Sequence, residues 1–109
     1  MDSIKNSSDF KQVSRLGSKW VSQAFILQIL NRNDKNDFRF GLTASRKVGN
    51  AVVRNRAKRR LREIIRDYPD KDKLTGMDLV FIARNCKEER DFALMQKDFT
   101  WCLKNLGIK

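Results

Sequence analysis

The segment from Arg46 to Arg66 constrains the chain most, because it combines nine Lys or Arg side chains and a single acid with apolar residues at helical spacing. At 100° per residue, Val53, Ala57, Leu61, Ile64 and Ile65 fall on one stripe, and Asn50 stands where an N-cap is needed. Arg54 and Lys58 flank one edge of that stripe, and Arg56 and Arg60 flank the other. Asn55, Arg59, Arg62 and Arg66 point to solvent. The segment is predicted to be a helix that packs by one stripe and shows cations on every other side.

Such a helix works against itself electrostatically. Arg54/Lys58, Lys58/Arg62 and Arg62/Arg66 are like charges one turn apart, each pair costing a few tenths of a kcal/mol. A merely solvated face avoids that cost by alternating signs. From Arg39 to Arg66 ten cations face Glu63 alone, a segment net of +9 within a chain net of +11, so the charge is concentrated in one place. Arginine predominates, and its planar fork grips phosphate oxygens in pairs. The pattern points to a nucleic-acid backbone as partner.

The 109 residues, 40% of them hydrophobic, suffice for one domain with a modest core, taken as residues 1–109 with 1–7 as a flexible lead-in. There is no run of about 18 apolar residues, and Met1-Asp2-Ser3-Ile4-Lys5 lacks the pattern of a secretory signal, so a cytoplasmic protein without a membrane partner is expected. Cys86 and Cys102 lie outside any CxxC spacing and the chain has no histidine, which favours reduced structural thiols over a metal site. The missing histidine also removes the commonest general base and the usual partner of a Ser or Cys nucleophile, so any nuclease activity has to come from carboxylates with a metal, or from elsewhere.

Around the basic helix the remaining elements follow from periodicity. Ser7-Ser8-Asp9 offers N-cap groups for a first helix, about Ser8 to Leu16, with Gly17 as a left-handed C-terminal residue. Trp20 to Leu30 is predicted to be strand, broken near Ser22-Gln23, in which Phe25, Leu27 and Ile29 alternate with Ala24, Ile26, Gln28 and Leu30. After the polar loop Asn31 to Asn36, Phe38, Phe40, Leu42 and Ala44 alternate with Arg39, Gly41, Thr43 and Ser45. That small second face either admits a ligand backbone or is plain solvent exposure.

Asp67 to Gly76 is a charged connector, and Leu79 to Ala83 is a short apolar run suited to a buried strand. Strand, basic helix and strand make a βαβ unit with a parallel pair. A last helix from Glu88 carries Phe92, Met95, Phe99, Cys102, Leu103 and Leu106 on one stripe and stops at Gly107. Leu94 and Trp101 fall on its other face, where packing of Trp101 at a sheet edge is favoured over stacking on a base. The fold class is α+β, a single compact α-β sandwich in the order α-β-β(-β)-α-β-α.

The string Lys47-Val48-Gly49-Asn50-Ala51-Val52-Val53-Arg54-Asn55-Arg56-Ala57-Lys58-Arg59 resembles the Arg-Asn-Arg signature of the protein subunit of bacterial ribonuclease P. Asp9-Phe10 in the first helix, the Gly17 stop, the strand from Phe38 to Ser45 and the late strand ending Ile82-Ala83-Arg84 fall in the family's order, so the resemblance covers nearly the whole chain. It implies an accessory subunit of a ribonucleoprotein in which a large RNA, with magnesium held mainly by that RNA, removes the 5′ leader of precursor tRNA. It also implies a left-handed crossover through the basic helix, against the usual right-handed rule.

Carried over residue by residue, the resemblance places RNA-subunit contacts on Arg46, Lys47, Asn50, Arg54, Asn55, Arg56, Lys58, Arg59, Arg60 and Arg62. Leader contacts fall on Phe10, Lys11, Ser14, Gln28 and Arg39, in a cleft between the first helix and the sheet. Ser14 and Gln28 depart from the aromatics expected there, and only Lys5 stands in for a basic run before Asp9. Either leader affinity is weaker, or Phe10 with Lys11 and Trp20 compensates. The partners implied are ribonuclease P RNA and precursor tRNA, with no dedicated protein partner evident. Two rivals remain: a stand-alone metal nuclease using Asp34, Asp37 or the Asp67/Asp70/Asp72 group, and a different RNA- or DNA-binding module.

Overall fold

The computed structural model of the protein describes residues 2–85 and 89–108. Its elements run β1 (Asp2–Ser3), α1 (Ser7–Leu16), β2 (Ser18–Val21), β3 (Phe25–Asn31), β4 (Arg39–Thr43), α2 (Ala51–Asp67), β5 (Met77–Ala83) and α3 (Phe92–Asn105), with 3-10 turns at Arg46–Val48 and Lys71–Leu74. The five strands form one mixed sheet in the order β1-β4-β5-β3-β2. The expected βαβ unit is present, with α2 joining the parallel neighbours β4 and β5. The α+β layering is as the residue periodicity implied.

Alternation along β3 and β5 sorts the two sheet faces. Phe25, Leu27, Phe81 and Leu79 are buried on one face with Leu61, Ile64 and Ile65 of α2 and Met95, Phe99, Cys102 and Leu103 of α3. Each fully buried side chain of this kind contributes roughly 1.5–3 kcal/mol of transfer free energy. Val80 lies on the other face with Val13 of α1 and Ile4, where Phe10, Leu30 and Ile82 pack against them. The sheet therefore separates α1 from α2 and α3.

Several local expectations are corrected. The run from Trp20 to Leu30 breaks at Ser22-Gln23 as expected, but it starts earlier and ends later, as the antiparallel strands β2 from Ser18 and β3 to Asn31, with Trp20 paired to Leu27 across the hairpin. Asn6, not Ser7, Ser8 or Asp9, caps α1, its side chain accepting from the Asp9 N–H at 2.9 Å. Gly17 is extended, at φ −82° and ψ 171°, so it is not a left-handed cap. A Cβ there would meet the Ile29 carbonyl oxygen at 2.5 Å and that of Val13 at 2.6 Å, so close approach of two backbones is what requires glycine.

The lead-in taken as flexible is held by the sheet from Asp2 on: β1 pairs with β4, and the Ile4 N–H donates to the Phe40 carbonyl at 2.8 Å. The start of the connector at Asp67 still belongs to α2. Asp91 caps α3, accepting from the Ala93 N–H at 2.8 Å, and the helix begins at Phe92; Glu88 and Cys86 lie outside the described residues. Gly107 stops α3 at φ 94° as expected.

Candidate nucleic-acid interface

The core stripe of α2 covers only part of the helix. Leu61, Ile64 and Ile65 are buried and Ala57 is half-buried, but Val53 is 44% and Val52 76% exposed. The N-terminal half of α2 thus projects past the core. Asn50 caps it as expected, accepting from the Val53 N–H at 3.0 Å. Gly49, at φ 149°, turns the chain from the Arg46–Val48 turn into the cap; a Cβ there would sit 2.8 Å from a Val53 methyl. Arg46 and Lys47 are thereby set beside the start of the helix.

The ten residues assigned to RNA docking divide by partner. Arg46, Lys47, Arg54, Lys58, Arg59 and Arg62 make no ion pair among the described residues, and the buried Nε of Arg54 has no hydrogen-bond acceptor. Asn55 is exposed beside them. Arg56 and Arg60 are engaged: Arg56 makes a forked pair with Glu89 at 2.7 and 3.0 Å, and Arg60 approaches the same carboxylate at 3.3 Å and donates to the Arg90 carbonyl. The Arg56 hydrogen bond, with the charge of Arg60, holds the Glu89 carboxyl below its ordinary range. Residue order gave no hint of this pairing, since Glu89 is far along the chain and belongs to no motif.

On the other side of the sheet, Phe10, Gln28 and Arg39 share the face covered by α1. Register places Gly41, Val80 and Gln28 in one row across β4, β5 and β3. The Phe10 ring lies over Gly41, so near that a Cβ would meet it at 2.5 Å. The small face of β4 is therefore closed at Gly41 and open only toward half-buried Thr43 and exposed Ser45. Ser14 is exposed one turn from Phe10, whereas Lys11 lies on the outward side of α1 with Ser8, Gln12 and Arg15.

Arg39 is tied down. It makes a forked pair with Asp78, Nε at 2.9 Å and Nη2 at 2.7 Å, and reaches Asp9 at 3.3 Å. Arg32 donates at 2.6 Å to the same Asp78 Oδ1 that Arg39 Nε reaches, and to Asp34 at 3.0 Å. Asp78, only 3% exposed, was not singled out from sequence, although an acid at the edge of an apolar run was the available signal. Its hydrogen bond, opposed by partial burial, raises the Arg39 pKa further above its ordinary value. Burial pulls Arg32 down, but hydrogen bonds to Asp34 and Asp78 outweigh it, and Arg32 in turn lowers Asp34.

These pairings bear on metal binding. Asp9, Asp34 and Asp78 are each neutralised by arginine, and among the described residues no three His, Cys, Asp or Glu side chains converge. The donor set does not suit a divalent cation held by this chain, since such an ion needs several oxygens free of competing cations. The acids of the connector are spread likewise, Asp67 beside Arg66 and Asp70 beside Lys73. Cys102 is buried, and burial pushes its thiol up to about 11. Trp101, 51% exposed, packs edge-on against Trp20 with ring centroids 5.5 Å apart, joining α3 to the edge strand β2.

Sheet, capped helix and cations without acidic partners among the described residues together define a small basic α+β protein with its positive charge gathered on one helix and the turn before it. Comparison with known proteins specifies the class: the family model described as Ribonuclease P matches residues 1–107. The ribonuclease P protein component of Gluconacetobacter diazotrophicus is 41% identical over 106 residues, spanning 97% of this chain and 91% of that protein. A Clostridium botulinum ribonuclease P protein component is 37% identical over 105 residues, spanning 96% and 94%. The structure of the Staphylococcus aureus RNase P protein superposes with a TM-score of 0.82 at 28% identity, covering 99% of this chain and 97% of that one. The Thermotoga maritima protein gives 0.74 at 26%, covering 97% and 96%. The chain belongs to the ribonuclease P protein family, the protein components of a tRNA-processing ribonuclease.

Proposed function

We propose that the chain is the accessory subunit of ribonuclease P, docking on the catalytic RNA through the N-terminal half of α2 and contacting the 5′ leader of precursor tRNA from the α1 side of the sheet. The observation that carries this reading is the set Arg46 and Lys47 in the turn before α2 and Arg54, Lys58, Arg59 and Arg62 on it, exposed or half-buried and without an acidic partner among the described residues. Phosphates of a structured RNA supply the missing counter-charge and offset the repulsion along the helix.

Hydrolysis is assigned to the RNA. Magnesium acts there, its ligands drawn from RNA phosphates and water, since Asp9, Asp34 and Asp78 of this chain are taken up by arginine and no cluster of three His, Cys, Asp or Glu side chains forms among the described residues. Phe10 offers an aromatic edge to a leader nucleotide, and the cytoplasm, where precursor tRNA is made, is the proposed site of action. No helix among the described residues is long and apolar enough to cross a membrane.

The test is 5′ processing of a precursor tRNA at about physiological magnesium, with protein alone, a bacterial ribonuclease P RNA alone, and both. Stimulation only in the mixture is expected. Cleavage by protein alone would make the chain the nuclease, and no stimulation would reduce it to a general RNA-binding module.

A further inference from the structure

A cavity of about 350 Å³ lies between α2, the β2–β3 turn and the end of β5. Ala24, Val48, Ala57, Leu61 and Met95 give it an apolar lining, while Arg56, Arg60 and Arg84 bring cations to it. The Arg84 guanidinium donates to the Ser22 carbonyl at 2.6 Å and has no acidic partner among the described residues. Glu89 sets one carboxylate across Arg56 and Arg60, the arrangement those arginines would offer a phosphate.

We infer that this cavity is a nucleotide pocket, taking one unstacked nucleotide of the RNA partner with its base in the apolar cavity and its phosphate in place of the Glu89 carboxylate. The volume suits a small planar ligand, for which pockets begin at roughly 300 Å³. Phosphates of a continuous duplex would satisfy the arginines but leave the apolar lining empty; a base turned out of its stack fills both. The pocket opens along the Arg56 and Arg60 edge of α2, so an RNA held on that helix passes its mouth. In the free protein Glu89 keeps Arg56 and Arg60 in place until phosphate replaces it. The inference rests on α2 as the RNA-docking surface.

The test follows methyl NMR signals of Ala57 and Met95 in the full chain, with adenosine monophosphate and inorganic phosphate as probes, alongside affinity for the ribonuclease P RNA. The nucleotide should shift both signals saturably and phosphate should not. Ala24→Leu, which fills the cavity without touching a cation, should abolish the shifts and weaken RNA binding about tenfold. Glu89→Gln, by removing the competing carboxylate, should tighten nucleotide binding several-fold. Unmoved methyl signals at millimolar nucleotide overturn the pocket. So does wild-type RNA affinity in a folded Ala24→Leu, which would leave at most a site for free nucleotides. If Ala24→Leu does not fold, the methyl shifts in the wild type and in Glu89→Gln decide alone. Arg54→Ala with Arg59→Ala separates the two readings: it should weaken RNA binding while leaving the nucleotide shifts intact. An unchanged RNA affinity there would count against α2 docking instead.

Discussion

On the α1 side of the sheet, Arg32 and Arg39 close around Asp78, with Asp9 and Asp34 completing the group. On the α2 side, Arg46, Arg54, Arg59 and Arg62 hold nothing acidic among the described residues. The side chains are chemically the same, and their surroundings give them different work. Arginines facing a buried carboxylate fix the sheet; arginines on a projecting half-helix have no acid among the described residues to hold. Between these extremes stand Arg56 and Arg60, held by a Glu89 that is itself half-exposed and replaceable.

The largest effect expected from this contrast is structural. Asp78→Ala removes the shared partner of two guanidiniums and should lower stability by about 3 kcal/mol in urea titration, since the arginines would stay partly buried and uncompensated. A loss under about 1 kcal/mol would show that water replaces the carboxylate freely. A smaller effect is expected at Gly41, where Gly41→Ala lifts the Phe10 ring off β4. Stability should fall by about 1 kcal/mol, read by thermal unfolding, and leader affinity should fall while affinity for the RNA subunit stays constant. A parallel loss of both affinities would merge the two faces into one site.

The smallest effect concerns acid. Arg32 holds the Asp34 carboxyl below its ordinary range, so the stabilisation from this pair is present above the unfolded-state value and is lost as pH falls through the depressed folded value. Arg32→Gln should return the Asp34 titration, followed by carboxyl NMR, toward the ordinary carboxylate range. No shift would mean that other charges, not Arg32, set it.

The two regions also differed in how far residue order revealed them. The α2 face was legible because its chemistry is local: Asn50, the apolar stripe and the cations lie within a few turns of helix, and periodicity alone orients them. Only the length of the buried stripe was overestimated, since Val53 extends beyond the edge of the core. The α1 face depends on contacts between distant segments. Nothing near Asp78 announces Arg32 or Arg39; Gly17 is expected as a left-handed cap and Gly41 as either ligand-admitting or solvent-exposed, whereas backbone and ring packing require them. The hairpin was partly visible, its break expected near Ser22-Gln23, but strand pairing is set by register rather than by composition.

The central claim is that the unpaired cations of α2 meet RNA phosphates, and the direct measurement is the salt dependence of RNA-subunit affinity for the wild type and for Arg54→Ala with Arg59→Ala. Because neither side chain has an acidic partner among the described residues, the variant should keep its folding stability to within about 0.5 kcal/mol. Its binding should weaken, and the slope of log affinity against log salt should flatten by roughly 0.7 to 0.9 for each phosphate contact removed. A variant that binds with the wild-type slope would contradict the account, and the docking surface would then lie elsewhere on the molecule.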